Sequence, residues 1–166
     1  MGLDMYLQRK KYVKNWDHNP KEKFFSGIAF VGGEPIDLNK INTITFDVHY
    51  WRKANWIHRW FVENVQDGND DCGEYYIDRG QLKSLCETID SITKEYNFFM
   101  PHKMTSEQLE KIQKLAEKKL PAAEGFFFGS QDYDEYYFET LRETKEAIEN
   151  SLKKTPEDEY YYSSSW

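Results

Sequence analysis

The stretch from Tyr50 to Tyr76 combines cationic, aromatic, imidazole and amide side chains more densely than the rest of the chain. Aromatic rings can stack on a base, guanidinium groups bind phosphate through paired hydrogen bonds, and an amide can read a base edge. A junction between a strand and a helix would also aim backbone N–H groups at an anion. We therefore predict an anion- or nucleotide-binding site formed by Trp51, Arg52, Lys53, Asn55, His58 and Arg59.

The same residues also have a structural interpretation. On a helical wheel centred on Ile57, Trp56 and His58 lie within an apolar arc of roughly half the circumference. Asn55 lies on the opposite side of this wheel. Helical aromatic residues in such an arc usually pack in a core, and Arg52 would then pair with an aspartate of the following loop.

An acidic loop follows this predicted helix and has some features of a calcium site. The spacing of Asp67, Asn69 and Asp71 matches the first, third and fifth ligand positions of a calcium-binding loop. The match is incomplete, because Cys72 stands where the loop needs glycine and Asp78 stands where it needs a bidentate glutamate. Asp78 is also expected to cap the next helix.

A zinc or manganese site is the other metal hypothesis for this loop. It would combine His58 with Asp70, Asp71 or Glu74, although their spacing follows no established metal motif. Adjacent carboxylates after a helix more often form a solvated loop. The weak metal candidates are Asp67, Asp71 and Glu74.

No catalytic residue is predicted. Cys72 could act as a nucleophile with His49 or His58, but the neighbouring carboxylates should raise the pKa of its thiol rather than lower it. An acidic helix near the C-terminus could imitate nucleic-acid phosphates. Its glutamates alternate with Arg142 and Lys145, which is typical of an ordinary solvated face.

Length and composition indicate one globular domain over residues 1–166. A chain of 166 residues buries about two-thirds of its unfolded surface, and 39% hydrophobic residues are too many for a disordered chain. No apolar run approaches the ~20 residues of a membrane span. The net charge of -7 argues against a uniformly basic nucleic-acid surface. Cys72 and Cys86 do not form the pattern of a secreted disulfide scaffold, so we expect reduced cysteines in a cytosol.

Hydrophobic periodicity predicts an α+β fold with a mainly antiparallel sheet and about four helices. A two-residue period places Leu3, Met5 and Leu7 on one face of an N-terminal strand. The predicted strands are 3–13, 24–31, 41–51, 75–77, 125–129 and 160–166, with a loop at 15–23. One helix runs from 52 to before 67, and the others are capped by Asp78 with Gln81, Thr105 with Gln108, and Asp132 with Glu135.

Several short motifs occur together in this chain. They are MGLDMYL at 1–7, WRKAN at 51–55, VQDG at 65–68, DCGEY at 71–75, GFFFGS at 125–130, YDEYY at 133–137 and SSW at 164–166. With them the chain resembles, from end to end, a family of small uncharacterised proteins encoded by bacteriophages and prophages. The resemblance supplies no catalytic residue. It implies an accessory protein in the cytoplasm of a bacterial host, in a class that includes many inhibitors and ligand sponges directed against host defence.

Three functions are compatible with these observations. The leading hypothesis is a non-enzymatic protein that sequesters a host-derived nucleotide or signalling ligand at the Trp51–Arg59 junction, without a cofactor. The alternative is an inhibitor that binds a host protein directly through an acidic or aromatic surface. The third is a small metal-dependent hydrolase using His58 and the carboxylates from Asp67 to Glu74. Sequence-specific nucleic acid and membrane are not expected as partners, and twelve tyrosines are compatible with a homodimer interface.

Overall fold

A computed structural model describes residues 2–13, 18, 29–37, 40–125, 128–155 and 157–166. They form an α+β domain, which confirms the predicted fold class. The strands are β1 (Asp4–Tyr12), β2 (Ala29–Val31), β3 (Glu34–Ile36), β4 (Thr43–Arg52), β5 (Glu74–Ile77) and β6 (Glu159–Ser165). The α-helices are α1 (Asn55–Asn64), α2 (Arg79–Thr93), α3 (Ser106–Lys119) and α4 (Glu135–Lys154), with a 3-10 helix at Pro101–Lys103. No helix within these ranges is long and apolar enough to cross a membrane.

The main sheet has four antiparallel strands in the order β4-β1-β6-β5, and β2 pairs with β3 separately. β1 lies inside the sheet and pairs with both β4 and β6. Its register with β4 shifts between Leu7 and Gln8, which indicates a β-bulge. The N-terminal and C-terminal segments of the chain are therefore neighbours in one sheet.

Helices cover one face of this sheet and form the core with it. The fully buried residues on this inner face include Leu3, which directly precedes β1, Met5 and Leu7 of β1, and Tyr160 and Tyr162 of β6. Phe61 of α1 stacks on Tyr162 with ring centroids 4.0 Å apart. The indole N–H of Trp51 donates to the Thr144 hydroxyl of α4 at 2.7 Å. The predicted inward period of β1 is confirmed.

The opposite face of the sheet, called the outer face below, is not covered by a helix in the described part of the chain. It consists of the even-numbered residues of β1 and their cross-strand neighbours. These are Asp4, Tyr6, Gln8, Lys10 and Tyr12 of β1, Thr43, Thr45, Asp47, Tyr50 and Arg52 of β4, Glu159, Tyr161, Ser163 and Ser165 of β6, and Glu74 and Tyr76 of β5.

Two predicted N-caps are confirmed by their hydrogen bonds. Asp78 accepts from the Gly80 N–H at 2.6 Å, and the Gln81 side chain accepts from the Asp78 N–H at 2.8 Å. Thr105 and Gln108 form the same capping box at the start of α3. Both motifs lie within four consecutive residues, so the sequence pattern alone was sufficient to locate them.

The third predicted N-cap, Asp132, is wrong by two residues. α4 begins at Glu135, and the carboxylate of Asp134 accepts from the Tyr137 N–H at 3.0 Å. Asp132 instead accepts a hydrogen bond of 2.7 Å from the Ser130 hydroxyl. The backbone N–H of Asp132 donates back to the same hydroxyl oxygen at 3.0 Å, so a local turn holds Asp132 outside the helix.

The predicted strand at 125–129 is not found in its described residues. Gly125, Phe128 and Gly129 lie outside any strand, and the Phe128 N–H donates to the Gly125 carbonyl at 3.1 Å. Phe126 and Phe127 lie outside the described residues. The predicted loop at 15–23 also lies outside the described residues, apart from residue 18. The same is true of the first part of the predicted strand at 24–31.

Candidate functional site

The six predicted ligand-binding residues do not face one common pocket. Trp51, Asn55 and His58 are buried, Arg59 is partly exposed, and Arg52 and Lys53 are exposed. The chain turns sharply between β4 and α1, where Lys53 has a φ of 59° and its N–H donates to the Leu3 carbonyl at 2.7 Å. This turn sends successive side chains in different directions. Of the six, Arg52 and Lys53 are the ones that solvent can reach freely.

Asn55 is fully buried although the helical wheel places it opposite Ile57. Its amide nitrogen donates to the carbonyls of Phe128 and Ser130, at 3.1 and 2.8 Å. Its amide oxygen accepts from the Ala123 N–H at 2.9 Å. The segment before α4 therefore covers this side of α1, and the Asn55 amide has no free capacity to read a base edge.

His58 belongs to a chain of hydrogen bonds that runs from the core to the surface. Its Nδ1 lies 2.8 Å from the Tyr162 hydroxyl oxygen, and its Nε2 lies 2.9 Å from a carboxylate oxygen of Asp70. The other oxygen of Asp70 accepts from the Trp166 indole N–H at 3.0 Å. Burial raises the pKa of Tyr162 well above its ordinary value. Because both nitrogens of His58 are engaged inside the protein, this chain connects α1 to the acidic loop and the C-terminus rather than facing a substrate.

Arg52 and Lys53 line a pocket of about 220 Å³ beside the start of α4. Trp56 also lines it, and the buried indole N–H of Trp56 has no hydrogen-bond partner among the described residues. The carboxylates of Asp132 and Asp134 lie in the same lining. Arg59 is not part of this pocket, because its guanidinium pairs with Glu63 at 2.7 Å and donates to the Ala122 carbonyl.

The carboxylates of the acidic loop have separate partners. Asp71 accepts a hydrogen bond from the Tyr75 hydroxyl at 2.9 Å, Glu74 pairs with Lys10, and Asp67 lies in an exposed turn. In the part of the chain that the structure describes, no three His, Cys, Asp or Glu side chains are arranged to hold a metal ion. The metal hypotheses receive no support from this geometry.

Tyrosines are the most prominent side chains of the outer face. Tyr6 and Tyr50 form a cross-strand pair with ring centroids 5.3 Å apart. Tyr76 and Tyr161 form a second pair at 5.8 Å, and Tyr12 adds a ring near the end of β1. Tyr50 is 49% exposed and Tyr76 is 55% exposed. Four neighbouring strands therefore display large aromatic rings that support one another and remain open to solvent.

Two of these tyrosines donate hydrogen bonds to carboxylates. The Tyr50 hydroxyl donates to Asp4, and the Tyr161 hydroxyl donates to Glu159 at 2.9 Å. These hydrogen bonds raise the pKa of both tyrosines above the ordinary value. Both rings therefore stay neutral near pH 7 and present an apolar body with a fixed polar tip.

The outer face carries more negative than positive charge. Its cations are Lys10 and Arg52, and its carboxylates are Asp4, Asp47, Glu74 and Glu159. Two cations and four carboxylates give a net charge of -2. The Lys10 ammonium also lies 4.1 Å from the centroid of the Tyr161 ring, so a cation already occupies part of the aromatic surface.

Sequence reasoning did not identify the outer face as a site. The two-residue period placed Tyr50 opposite Trp51, and the same period in β1 places Tyr6 opposite Met5. The strand order was the missing information, because it brings tyrosines from positions 6 to 161 onto one surface. Comparison of this chain with protein-family models, with curated proteins and with solved structures gives no match.

Proposed function

We propose that this protein binds another protein through the outer face of its sheet. The observation that carries the proposal is the uncovered antiparallel face with five tyrosines, four of them in two cross-strand pairs. Tyrosine rings supply a large contact area at a low cost in conformational entropy and are enriched at protein interfaces. The resemblance to phage-encoded proteins implies a class that includes inhibitors directed against host defence, so we take the partner to be a host protein. The protein would then be an inhibitor of a bacterial host factor.

The size of the outer face fits this function. β1, β4, β6 and β5 contain 9, 10, 7 and 4 residues. At ~3.4 Å per residue and ~4.8 Å between strands, they cover roughly 490 Å² in projection. A standard protein interface takes about 800 Å² of accessible surface from each partner. The outer face can therefore form the centre of such an interface, with adjoining loops at its rim.

Charge selects the kind of partner. A net charge of -2 on the face, within a chain of -7, disfavours nucleic acid because phosphates would be repelled. It also disfavours a second copy of this chain on the same face, since two negative faces would meet. Arginine side chains can stack on tyrosine rings and pair with carboxylates at the same time. We therefore assign the partner a basic surface that contains arginine.

Photo-crosslinking in bacterial cells tests this proposal. The crosslinking residue p-benzoylphenylalanine replaces Tyr50 in one variant, Tyr76 in a second and Phe30 in a third. Phe30 is 63% exposed but belongs to the separate sheet of β2 and β3, so it is a control for surface exposure. We expect positions 50 and 76 to crosslink to the same protein, identified by mass spectrometry, and position 30 not to do so. Crosslinks to that protein from position 30 alone would contradict the assignment.

The pocket beside Arg52 and Lys53 supports a second candidate function, the binding of a small anion. The two cations are exposed, and the unpartnered indole N–H of Trp56 offers a donor. These groups offset the carboxylates of Asp132 and Asp134 in the same lining, which already accept hydrogen bonds from the Ser130 hydroxyl and the Tyr137 N–H. The pocket volume of about 220 Å³ is below the ~300 Å³ at which small-molecule sites usually begin. An anion of the size of phosphate or a small carboxylate therefore fits this pocket better than the nucleotide predicted from the sequence.

Calorimetric titration with inorganic phosphate and with nucleotides tests the second candidate. The double variant Arg52→Ala with Lys53→Ala should lose the binding of phosphate. Arg59→Ala is the matched control, because its guanidinium already pairs with Glu63 outside the pocket. Phosphate binding that persists in the double variant would exclude this pocket as the site.

A further inference from the structure

A larger pocket of about 490 Å³ lies among the end of α2, the 3-10 helix, α3 and the start of α4. Its volume is within the range of ~300 to ~1,000 Å³ that is usual for small-molecule sites. The aromatic rings in its lining are Tyr96, Phe98, Phe99 and Tyr133. Below, it is called the aromatic pocket. None of its residues belongs to the outer face, and it shares Asp134 with the pocket beside Arg52.

Two walls of the aromatic pocket are held in place by packing. The Tyr96 ring stacks on Phe138 with centroids 4.1 Å apart and meets the edge of Phe98 at 4.8 Å. Tyr133 packs edge-on against Tyr137 at 4.9 Å, and its hydroxyl oxygen accepts from a backbone N–H at 3.1 Å. A ligand that binds against these rings does not need to order them first, which preserves its affinity.

Phe99 is the least covered of the large apolar side chains at the rim, with 95% of its surface exposed. Its backbone is nevertheless fixed, because the N–H groups of Phe99 and Met100 donate to the Asn97 side-chain oxygen at 3.2 and 3.0 Å. The loop therefore holds an apolar ring out in solvent beside the pocket. A bound ligand would give this ring a partner.

The electrostatics of the aromatic pocket are negative. Asp134 and Glu135 line it, are exposed, and form no ion pair within the described part of the chain. Asp134 already caps α4, so an anion at this helix start would meet a carboxylate instead of free N–H groups. Burial, together with Glu135 and nearby carboxylates, raises the pKa of Tyr96. A neutral tyrosine and two carboxylates disfavour an anionic ligand.

Tyr96 provides the polar group that a ligand would meet inside the pocket. Its side chain is only 8% exposed, and its hydroxyl has no hydrogen-bond partner among the described residues. A hydroxyl oxygen in this position can accept a hydrogen bond from an N–H group of a ligand. Aromatic faces, carboxylates and an acceptor oxygen together are the groups that recognise an organic cation.

We propose that the aromatic pocket binds a guanidinium group carried on an alkyl chain. The planar guanidinium can stack on Phe98 or Phe99 while its N–H groups reach the Tyr96 oxygen and the Glu135 carboxylate. The alkyl chain then occupies the apolar remainder of the pocket. The same chemistry is offered by a free alkylguanidine and by an arginine side chain in a peptide.

Titration of the ¹⁵N-labelled protein, followed by NMR, tests this assignment with butylguanidine and with its neutral isostere butylurea. The measurement is made at about pH 8. We expect saturable shifts at residues 96–99 and 133–135 with butylguanidine up to about 10 mM, which fills most of a site with a Kd of ~1 mM. Equal shifts with butylurea, or no saturation, would overturn the proposal.

Substitutions locate the binding groups. Phe99→Ala and Glu135→Gln should each weaken butylguanidine about tenfold, within the range known for cation–π contacts and charged hydrogen bonds. Glu143→Gln is the matched control, because Glu143 is exposed on the same helix and does not line the pocket. Unchanged affinity in both pocket variants would also overturn the proposal. An acetylated arginine tripeptide amide distinguishes the two sources of the guanidinium group. If it binds more tightly than butylguanidine, the natural ligand is an arginine side chain of a peptide; if it binds equally, the natural ligand is a free alkylguanidine.

Discussion

Replacing Asn55 with alanine removes three hydrogen bonds between α1 and the segment before α4. The amide nitrogen donates to the carbonyls of Phe128 and Ser130, and the amide oxygen accepts from the Ala123 N–H. Asn55 is fully buried, so water cannot replace the amide without movement of the segment that covers it. The substitution therefore tests whether Asn55 holds the structure together rather than reading a ligand.

The expected loss follows from these contacts. A hydrogen bond contributes ~1 kcal/mol net, and a buried partner left unpaired costs ~1 to 3 kcal/mol. Because Ala123 and Phe128 are only partly buried and Ser130 is exposed, their freed groups can regain some water, so we expect Asn55→Ala to lower the free energy of unfolding by about 3 kcal/mol. For a domain of this size that corresponds to a fall in Tm of roughly 6 to 12 °C.

Urea denaturation followed by circular dichroism measures this loss. Asn64→Ala is the matched control, because Asn64 is an exposed asparagine of α1 whose side chain donates within the helix to the Trp60 carbonyl. Its effect should stay within ~0.5 kcal/mol. Asn55→Asp keeps the acceptor for Ala123 but loses both donors, so it should destabilise at least as much as alanine. A loss below ~1 kcal/mol in Asn55→Ala would refute the reasoning.

At alkaline pH the free energy of unfolding should fall, because burial raises the pKa of Tyr162 and Tyr137 while the unfolded chain releases these protons near pH ~10. Above pH ~10 the folded state therefore binds more protons than the unfolded chain. Each of the two tyrosines then lowers the free energy of unfolding by ~1.4 kcal/mol per pH unit. Urea denaturation should find a smaller decline in Tyr162→Phe, and a pH-independent free energy would contradict this. An aromatic disulfide reagent should modify exposed Cys72 quickly and Cys86 slowly, because burial raises the pKa of the Cys86 thiol to about 12. Cys72→Ser should remove the fast phase, whereas two equally fast thiols would show that Cys86 is open. The double variant Tyr6→Ala with Tyr50→Ala should change the free energy of unfolding by less than ~1 kcal/mol, because both rings project from the uncovered face. Cooperative urea unfolding at a much lower midpoint would show that the two rings are part of the core.

Local signals in the sequence were sufficient for much of the fold. The capping boxes at Asp78 and Thr105 need only four residues each, and the period of β1 identified its buried face. The cap of α4 was misplaced because Asp132 and Asp134 are both good caps, and the turn at Ser130 decides between them. Such a choice depends on backbone geometry that the residue types do not specify.

Long-range partners explain why the site could not be predicted in the same way. The contacts of Asn55 lie 68 to 75 residues away, and Tyr162 lies 104 residues from His58. No local pattern reports such contacts, so cationic and polar residues that are adjacent in sequence were grouped into one site. The fold directs half of them into the core. The tyrosines of the outer face came together only when the order of the strands was known.

One binding measurement tests the proposed function most directly. The crosslinked partner is purified, and its affinity is measured for the unmodified chain and for the double variant Tyr6→Ala with Tyr50→Ala. Aromatic residues at the centre of an interface often contribute ~2 kcal/mol or more, so we expect the variant to bind at least ~30-fold more weakly than the unmodified chain. Phe30→Ala, which changes an exposed ring of the separate sheet of β2 and β3, should bind the partner as tightly as the unmodified chain. A double tyrosine variant that binds with unchanged affinity would contradict the assignment of the outer face as the functional surface.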